Sequence, residues 1–296
     1  MGTGDRYVVC VGAATLDTIL PVPRKPNADD RVVASELVRA GGGPAATAAV
    51  ALARLGIHAF FVGAVGDDPA GDSIRSGLER EGVDVSEVTV VSGARSAEST
   101  ILVERETGRR AIVAFLGTMP PLELGRRARA LCREAAWTHV DHVGYGAVAG
   151  ERVRLSVDAG NPISGLDLHG VLLYGPTEES LRRLFPAGGL EDAARAAIAA
   201  GAELVVVTRG EDGSVAVPPE KEPIVAPPFA VAPVSTLGAG DVYHGALLAQ
   251  LVNDVPLADA LAVANACAAL SCRALDGRSA IPTASELAAA VAGSTF

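Results

Sequence analysis

Apolar residues arrive along this chain in short β-branched bursts, separated by longer stretches with helical spacing. The first burst, Tyr7–Val11, ends at Gly12 and predicts a buried strand. "GGGPAATAAVALARLG" (Gly41–Gly56) then offers glycines, a proline near the first turn, an Ala/Leu run and a closing glycine. That order predicts a helix with a bare entry and a glycine stop. His58–Val65 predicts a second buried strand and Asp68–Glu81 a helix. Farther on, strands at Thr138–Val143, Leu155–Asp158, Val171–Tyr174 and Leu204–Thr208 alternate with helices at Leu122–Ala135, Glu178–Leu184 and Glu191–Ala200. Short β-like pieces follow at Ser214–Val217 and Pro223–Val225. Three helices close the chain, at Ala239–Val252, Leu257–Ala274 and Ala284–Val291. Such alternation predicts a mostly parallel sheet with helices on both faces.

Two regions break the rhythm. Ile19–Arg39 has prolines early and the alternating "RVVASELV" late. Val88–Val91, Ser99–Val103 and Ala111–Phe115 are strand-like runs with turn signals at Ser92-Gly93 and Thr107-Gly108. Together they predict a small second sheet, inserted twice into the large domain. The expected division is an α/β domain of residues 1–18, 41–87 and 119–296, with a β-sheet lid of residues 19–40 and 88–118.

Composition narrows the class. Of 296 residues 49% are hydrophobic and 20% charged, an ordinary globular balance. Aromatics are only 4%, so the core must rest on Ala, Val and Leu. The net charge of −10 and the lack of a basic stripe argue against a nucleic-acid partner. No run reaches the ~18 uncharged apolar residues of a membrane span, and the N-terminus lacks the pattern of a signal peptide. The four cysteines form no CxxC pair and lie in apolar contexts, which reads as free buried thiols in a reducing, cytoplasmic setting.

Candidate chemistry centres on "STLGAGDVYHG", Ser235–Gly245. Gly238, Ala239 and Gly240 leave the first amides of a helix uncovered, and the helix dipole makes them attractive to an anion. Asp241 stands beside them as a possible base, a role typically worth ~10²–10⁴-fold. Taken alone, this GxGD is equally a plain helix start with an acidic first turn. "VVVTRGEDGSVAV" (Val205–Val217) ends a strand at Thr208 and places Gly210 and Gly213 in a turn, which suits either nucleotide phosphates or a simple hairpin. "GGGPAATA" offers a further row of amides, without the GK[ST] of a Walker loop. Asp17 could hold two sugar hydroxyls with its two oxygens, or cap a turn. His244, one turn past Asp241, reads as a packing residue, and His139 and His142 lack a third ligand. Trp137 reads as structural.

In this order and spacing, Asp17, Gly42-Gly43, "TRGEDG" and "GAGD" resemble the ribokinase/PfkB family of carbohydrate kinases, from Tyr7 to about Pro282. The resemblance implies a Rossmann-like ribokinase fold with a β-sheet lid that often also forms a homodimer interface. It implies ATP and Mg²⁺ as cofactors and a small-molecule sugar as substrate. By position, Asp241 would be the catalytic base, and Gly238, Ala239 and Gly240 the anion hole. Thr208, Gly210 and Gly213 would line the ATP site, with Asn265 near the adenine. Asp17, Gly42 and Gly43 would hold the sugar, and Thr47 falls where the family often has a substrate-side Asn. "GAGDVYHGAL" and "GRSAIP" look most like the sulfofructose kinase branch, with the ketohexokinase-like branch more distant. That branch has a lysine at Arg31, an Asn at Ala114, and a further Arg with no counterpart near Val143–Gly144. The family's Asp-Thr before GAGD is Ser235-Thr236 here, and its Asn-x-x-Glu is Thr177–Ser180. The resemblance names no metal ligand. A nucleoside kinase, with Phe115 and Tyr145 as a shelf for the base, and a catalytically weak ligand-binding homologue are the other readings.

Overall fold

The computed structural model describes residues 6–186 and 188–293. The first half of the chain runs β1 (Tyr7–Val11), β2 (Thr15–Val22), β3 (Val38–Gly42), α1 (Pro44–Arg54), β4 (His58–Gly66), α2 (Pro69–Arg80), β5 (Asp84–Val91), β6 (Glu98–Glu104) and β7 (Arg110–Phe115). It continues with α3 (Arg126–Glu134), β8 (Trp137–Val140), α4 (Tyr145–Val148), β9 (Leu155–Ala159), β10 (Val171–Pro176), α5 (Glu178–Leu184) and α6 (Leu190–Ala199). The last elements are β11 (Val205–Thr208), β12 (Ser214–Val217), β13 (Ile224–Ala226), α7 (Ala239–Val252), α8 (Leu257–Ser271) and α9 (Ala284–Ala292).

Nine strands form one sheet, in the order β13-β12-β11-β10-β9-β8-β1-β4-β5. The seven from β11 to β5 are parallel, and the β11–β12–β13 end is antiparallel. Strand periodicity divides its side chains between two cores. Val8 and Cys10 join the layer under α1, α7 and α8, while Val9 and Val11 join the layer under α3, α5 and α6. Because both faces are covered, β1 reads as an unbroken apolar run rather than an alternating one. The α/β ribokinase-like expectation matches this architecture. All four cysteines are buried and free, and among the described residues no helix is long and apolar enough to cross a membrane.

A second sheet, β3-β2-β6-β7, forms the lid. Four boundaries differ from expectation. Val88–Val91 belongs to β5, paired parallel with β4 in the large sheet. The crossover through α2 returns the chain beside β4, as a βαβ unit does. The lid sheet already begins at Thr15, so Asp17 lies on the lid. "RVVASELV" yields a strand only from Val38 onward. β3 pairs with β2 over Thr15–Ile19 alone, and Val33 is 76% exposed. Strand β8 stops at Val140, three residues early, because Asp141 turns the chain there.

α7 is apolar nearly all round because it lies between α1 and α8. A Cβ on Gly245 would fall 2.4 Å from the Ala48 carbonyl oxygen, so glycine lets α1 and α7 pack closely. That contact sets the N-termini of the two helices side by side.

Candidate active site

The carboxyl ends of the parallel strands and the N-termini of α1 and α7 converge on one crevice, where open α/β sheets bind ligands. A cleft of about 750 Å³ runs from there between the lid and α8. Thr208, Gly210, Gly213, Asn265, Ala239 and Gly240 all line it, so residues expected to serve nucleotide and phosphate share one cavity. Phe229, Val231, Ala268 and Ala269 give it an apolar end. Asn265 spends both amide hydrogens on the carbonyls of Ala226 and Pro227, which fixes the chain leaving β13.

Gly238 caps α7 with φ 72° and ψ 0°. A side chain there would be strained, and its Cβ would lie 3.1 Å from Gly277 Cα. Gly240 differs: it is exposed, and an added Cβ would meet no atom within 4 Å. Its bareness serves no packing need inside the protein. The loop before the cap is tied down by Val234 and Ser235 amides donating to the Cys272 carbonyl and by the Leu237 amide donating to Ser235 Oγ.

Asp241 follows in the first turn. Burial pushes its carboxyl well above the usual carboxylate range, and the charges of Asp158 and Asp141 push the same way. Arg278 and Arg110 pull against them. Asp17 is 6% exposed and accepts a 2.8 Å bond from Thr15 Oγ1. Burial raises its carboxyl too, opposed by the Thr15 hydroxyl, Arg278 and Ser99. Gly42 makes room for it, since a Cβ there would lie 2.1 Å from Asp17 Oδ2. Gly43 is the N-cap of α1. Thr47 is buried, with its hydroxyl engaged by Arg278 Nε at 3.1 Å.

Arg31 is not brought to this group. It lines a separate hollow of about 300 Å³ with Leu20 and Leu102, residues of opposite parity to Asp17 and Ile19 on the lid strands. Ala114 stands opposite Ser99, in the same row as Asp17. Tyr145 exchanges hydrogen bonds with the Asp167 backbone and is buried, while Phe115 lies under the Arg95 guanidinium.

Four charged residues join the site: Asp141, Asp158 and Arg110, which lie outside the quoted motifs, and Arg278, which lies within "GRSAIP" without having been given a role. Asp141 accepts hydrogen bonds from the amides of Ala13, Ala45, Val143 and Gly144, clamping β1, α1 and the turn after β8 together. Asp158, near the end of β9, accepts from the Gly160 amide. Arg110 donates from the lid to Thr236 Oγ1 at 2.7 Å. An acidic residue closing a buried parallel strand is the signal that could have marked the two aspartates. His139 is bonded to Ser156, and burial holds its ring down to about 3. In the altered segment, the Thr177 hydroxyl caps α5 by accepting from the Ser180 amide. Glu178 is occupied by Arg182 and Arg209.

The pfkB family carbohydrate kinase pattern matches residues 5–145 and 170–284. The chain belongs to the pfkB family of carbohydrate kinases. An ATP-dependent ribose-1-phosphate kinase of Halopiger xanaduensis is 32% identical, over 95% of this chain and 97% of that protein. A ribokinase of Bacillus subtilis is 27% identical, over 95% and 98%. For the fold alone, the crystal structure of a Thermotoga maritima ribokinase superposes with a TM-score of 0.85, at 24% identity and over 98% and 100% of the two chains. Membership in this family makes the chain an ATP-dependent phosphotransferase acting on a hydroxyl of a small sugar or nucleoside.

The cavity fits the nucleotide, with bare amides at one end and apolar walls at the other. Among the described residues no group of three or more His, Cys, Asp or Glu forms a ready metal cage. The donor set fits Mg²⁺ arriving with phosphates, which needs only one or two protein carboxylates. Asp141 and Asp158 both act on Asp241 at the start of α7, so three carboxyl groups gather there.

Proposed function

We propose that this protein transfers the γ-phosphoryl group of ATP to a hydroxyl of a small carbohydrate, with Asp241 as general base. Asp241 takes the hydroxyl proton as the oxygen attacks the γ-phosphorus, and ADP departs with the electrons of the broken P–O bond. The amides of Gly238, Ala239 and Gly240 receive the charge that spreads over the transferring oxygens. Bound Mg²⁺ supplies neutralisation of the phosphate oxygens, with Asp158 as its carboxylate on this chain. Asp17, Gly42 and Gly43 orient the sugar. Thr208, Gly210 and Gly213 flank the nucleotide. The lid excludes water that would otherwise accept the phosphoryl group. One observation carries the reading: Asp241, its proton affinity raised, stands next to a glycine whose open side faces a cleft large enough for a nucleotide.

The lid also supports a homodimer. β7 is an edge strand with Ile112, Val113 and Phe115 exposed, an apolar edge that isolated proteins seldom leave uncovered.

The test is an ADP-release screen over ribose, ribose-1-phosphate, fructose, a sulfosugar and nucleosides. Turnover on a sugar, lost in Asp241→Asn, is the expected result. Silence on every acceptor would leave a ligand-binding homologue. If an anionic sugar were the acceptor, Arg31→Ala would show whether the second hollow serves it.

A further inference from the structure

Asn265 lies on α8 and is 7% exposed. Asn265, Ala268, Ala269 and Cys272 recur at helical spacing, so one stripe of α8 forms a wall of the cleft. Cys272 Sγ donates to the Ala268 carbonyl, which leaves the Asn265 carboxamide as the polar group of that stripe. The carboxamide is held one way round. Nδ2 donates to the Ala226 carbonyl at 3.1 Å and to the Pro227 carbonyl at 2.9 Å. Turned over, it would set Oδ1 against both carbonyl oxygens, acceptor facing acceptor. The two carbonyls are fixed in their turn. Ala226 pairs with Ser214 at the end of β13, and residues 227 and 228 are both proline, with φ locked. A Cβ on Gly213 would fall 2.3 Å from the Ala226 oxygen, so the segment lies close against the Thr208–Gly213 turn. Oδ1, by contrast, receives no hydrogen bond among the described residues and is open to solvent. The cleft that Asn265 lines is the space beside it.

Resting on the kinase reading above, we propose that Asn265 selects the base of the nucleotide, accepting a hydrogen bond from the exocyclic amine of adenine and rejecting purines that carry an oxo group there. An acceptor at the apolar end of the cleft matches the N6 amine of adenine, whereas guanine presents the O6 acceptor at that position. Hypoxanthine presents the same oxygen. An asparagine free to turn would serve either base, because its amide has a donor side and an acceptor side. The Ala226 and Pro227 carbonyls oppose that turn, so the base meets the acceptor side alone. Phe229, Val231, Ala268 and Ala269 supply apolar surface to the ring but no preference among purines. A site built around one hydrogen bond rejects the analogue that cannot make it, since its own polar atom is then left unpaired.

The experiment is calorimetric binding of ADP, IDP and purine riboside diphosphate to the full chain with Mg²⁺ present. The third nucleotide carries only hydrogen where ADP has the amine and IDP the oxygen. No acceptor sugar is needed, so the readout stands apart from the ADP-release screen. The wild type should bind ADP about tenfold or more tightly than purine riboside diphosphate, which loses the bond. IDP should bind more weakly still, because its oxygen faces Oδ1. Asn265→Leu should bring the three affinities together by weakening ADP. Asn265→Ser removes the fixed acceptor with a smaller change of shape and should do the same, which covers the case in which Asn265→Leu does not fold. Equal wild-type affinity for ADP and IDP, or for ADP and purine riboside diphosphate, would overturn the proposal and leave the kinase reading standing. A preference for ADP that survives in either folded variant would overturn it in the same way. Binding of none of the three would overturn it together with the kinase reading.

Discussion

Asp158 Oδ1 lies 3.6 Å from His244 Nε2, both residues nearly buried, one helical turn beyond Asp241. The histidine has a made space: a Cβ on Gly175 would fall 2.3 Å from its Cε1. This pair places a carboxylate charge behind the proposed base, where it raises the proton affinity of Asp241. Asp158→Asn removes that charge. The acidic limb of the kcat/KM profile, which reports loss of the ionised base, should then move to lower pH. Maximal turnover should fall as well, because the same carboxylate is the one proposed to hold Mg²⁺. The pH–rate profile of the variant checks both, and a limb that stays put or rises would separate Asp158 from the base.

Asp241 itself should trade stability for function. Its folded-state carboxyl is raised above the unfolded value, so its contribution to stability is present at low pH and is lost as pH rises through the folded value. Asp241→Asn carries no such penalty. At pH 7–8 the variant should melt about 2–4 °C above wild type, the shift made by about 1 kcal/mol in a domain of this size. As pH falls to the usual aspartate value, about 4, and below it, the two should converge. Turnover should drop by about two orders of magnitude or more. Thermal melts at the two pH values and a kinetic assay decide it.

Much of this site was legible in the sequence because its parts announce themselves locally. Gly238–Asp241 and Thr208–Gly213 combine a strand or helix boundary with bare residues, and the structure sets Ala239, Gly240, Thr208, Gly210 and Gly213 in one cleft. The parallel sheet was legible for a similar reason, since strands buried on both faces read as runs such as Tyr7–Val11. Asp158 and Arg278 were not legible, because their partners lie far along the chain and only tertiary packing brings them together. Arg278 meets Thr47 across a separation of 231 residues. The lid misled for another reason. Val88–Val91 and Ser99–Val103 look alike as strands, and only the crossover through α2 assigns the first to the large sheet. Arg31 sits in a hollow with Leu20 and Leu102 because strand parity, invisible in an irregular loop, turns those leucines away from Asp17.

Gly240→Ala separates a phosphate cradle from a mere helix start. An alanine meets no protein atom there and suits a helix better than glycine. Stability should stay the same or rise by up to about 1 kcal/mol. ATP binding, measured by calorimetry, should weaken about tenfold or more, since a methyl group would stand where phosphate oxygens approach the amides. Undiminished ATP affinity in a folded variant would empty the anion-hole assignment.

The lid edge gives the last expectation. Val113 is 69% exposed in the middle of β7, between Ile112 and Ala114, on a strand paired only with β6. If a second copy covers this edge, a lysine there places a charge against an apolar partner surface, the device by which edge strands avoid pairing. Val113→Lys should convert a dimer to a monomer in light scattering at micromolar concentration. The monomer's melting temperature should stay near that of wild type under conditions that dissociate the dimer, because an exposed position away from the core shifts stability by no more than about 0.5 kcal/mol. Acceptor KM should rise while ATP affinity stays within about twofold, because the nucleotide cleft draws only Arg110 from the lid. A wild type that is monomeric at the same concentration would remove the interface from this edge, and with it the reason for four exposed apolar residues in succession from Ile112 to Leu116 around a single alanine.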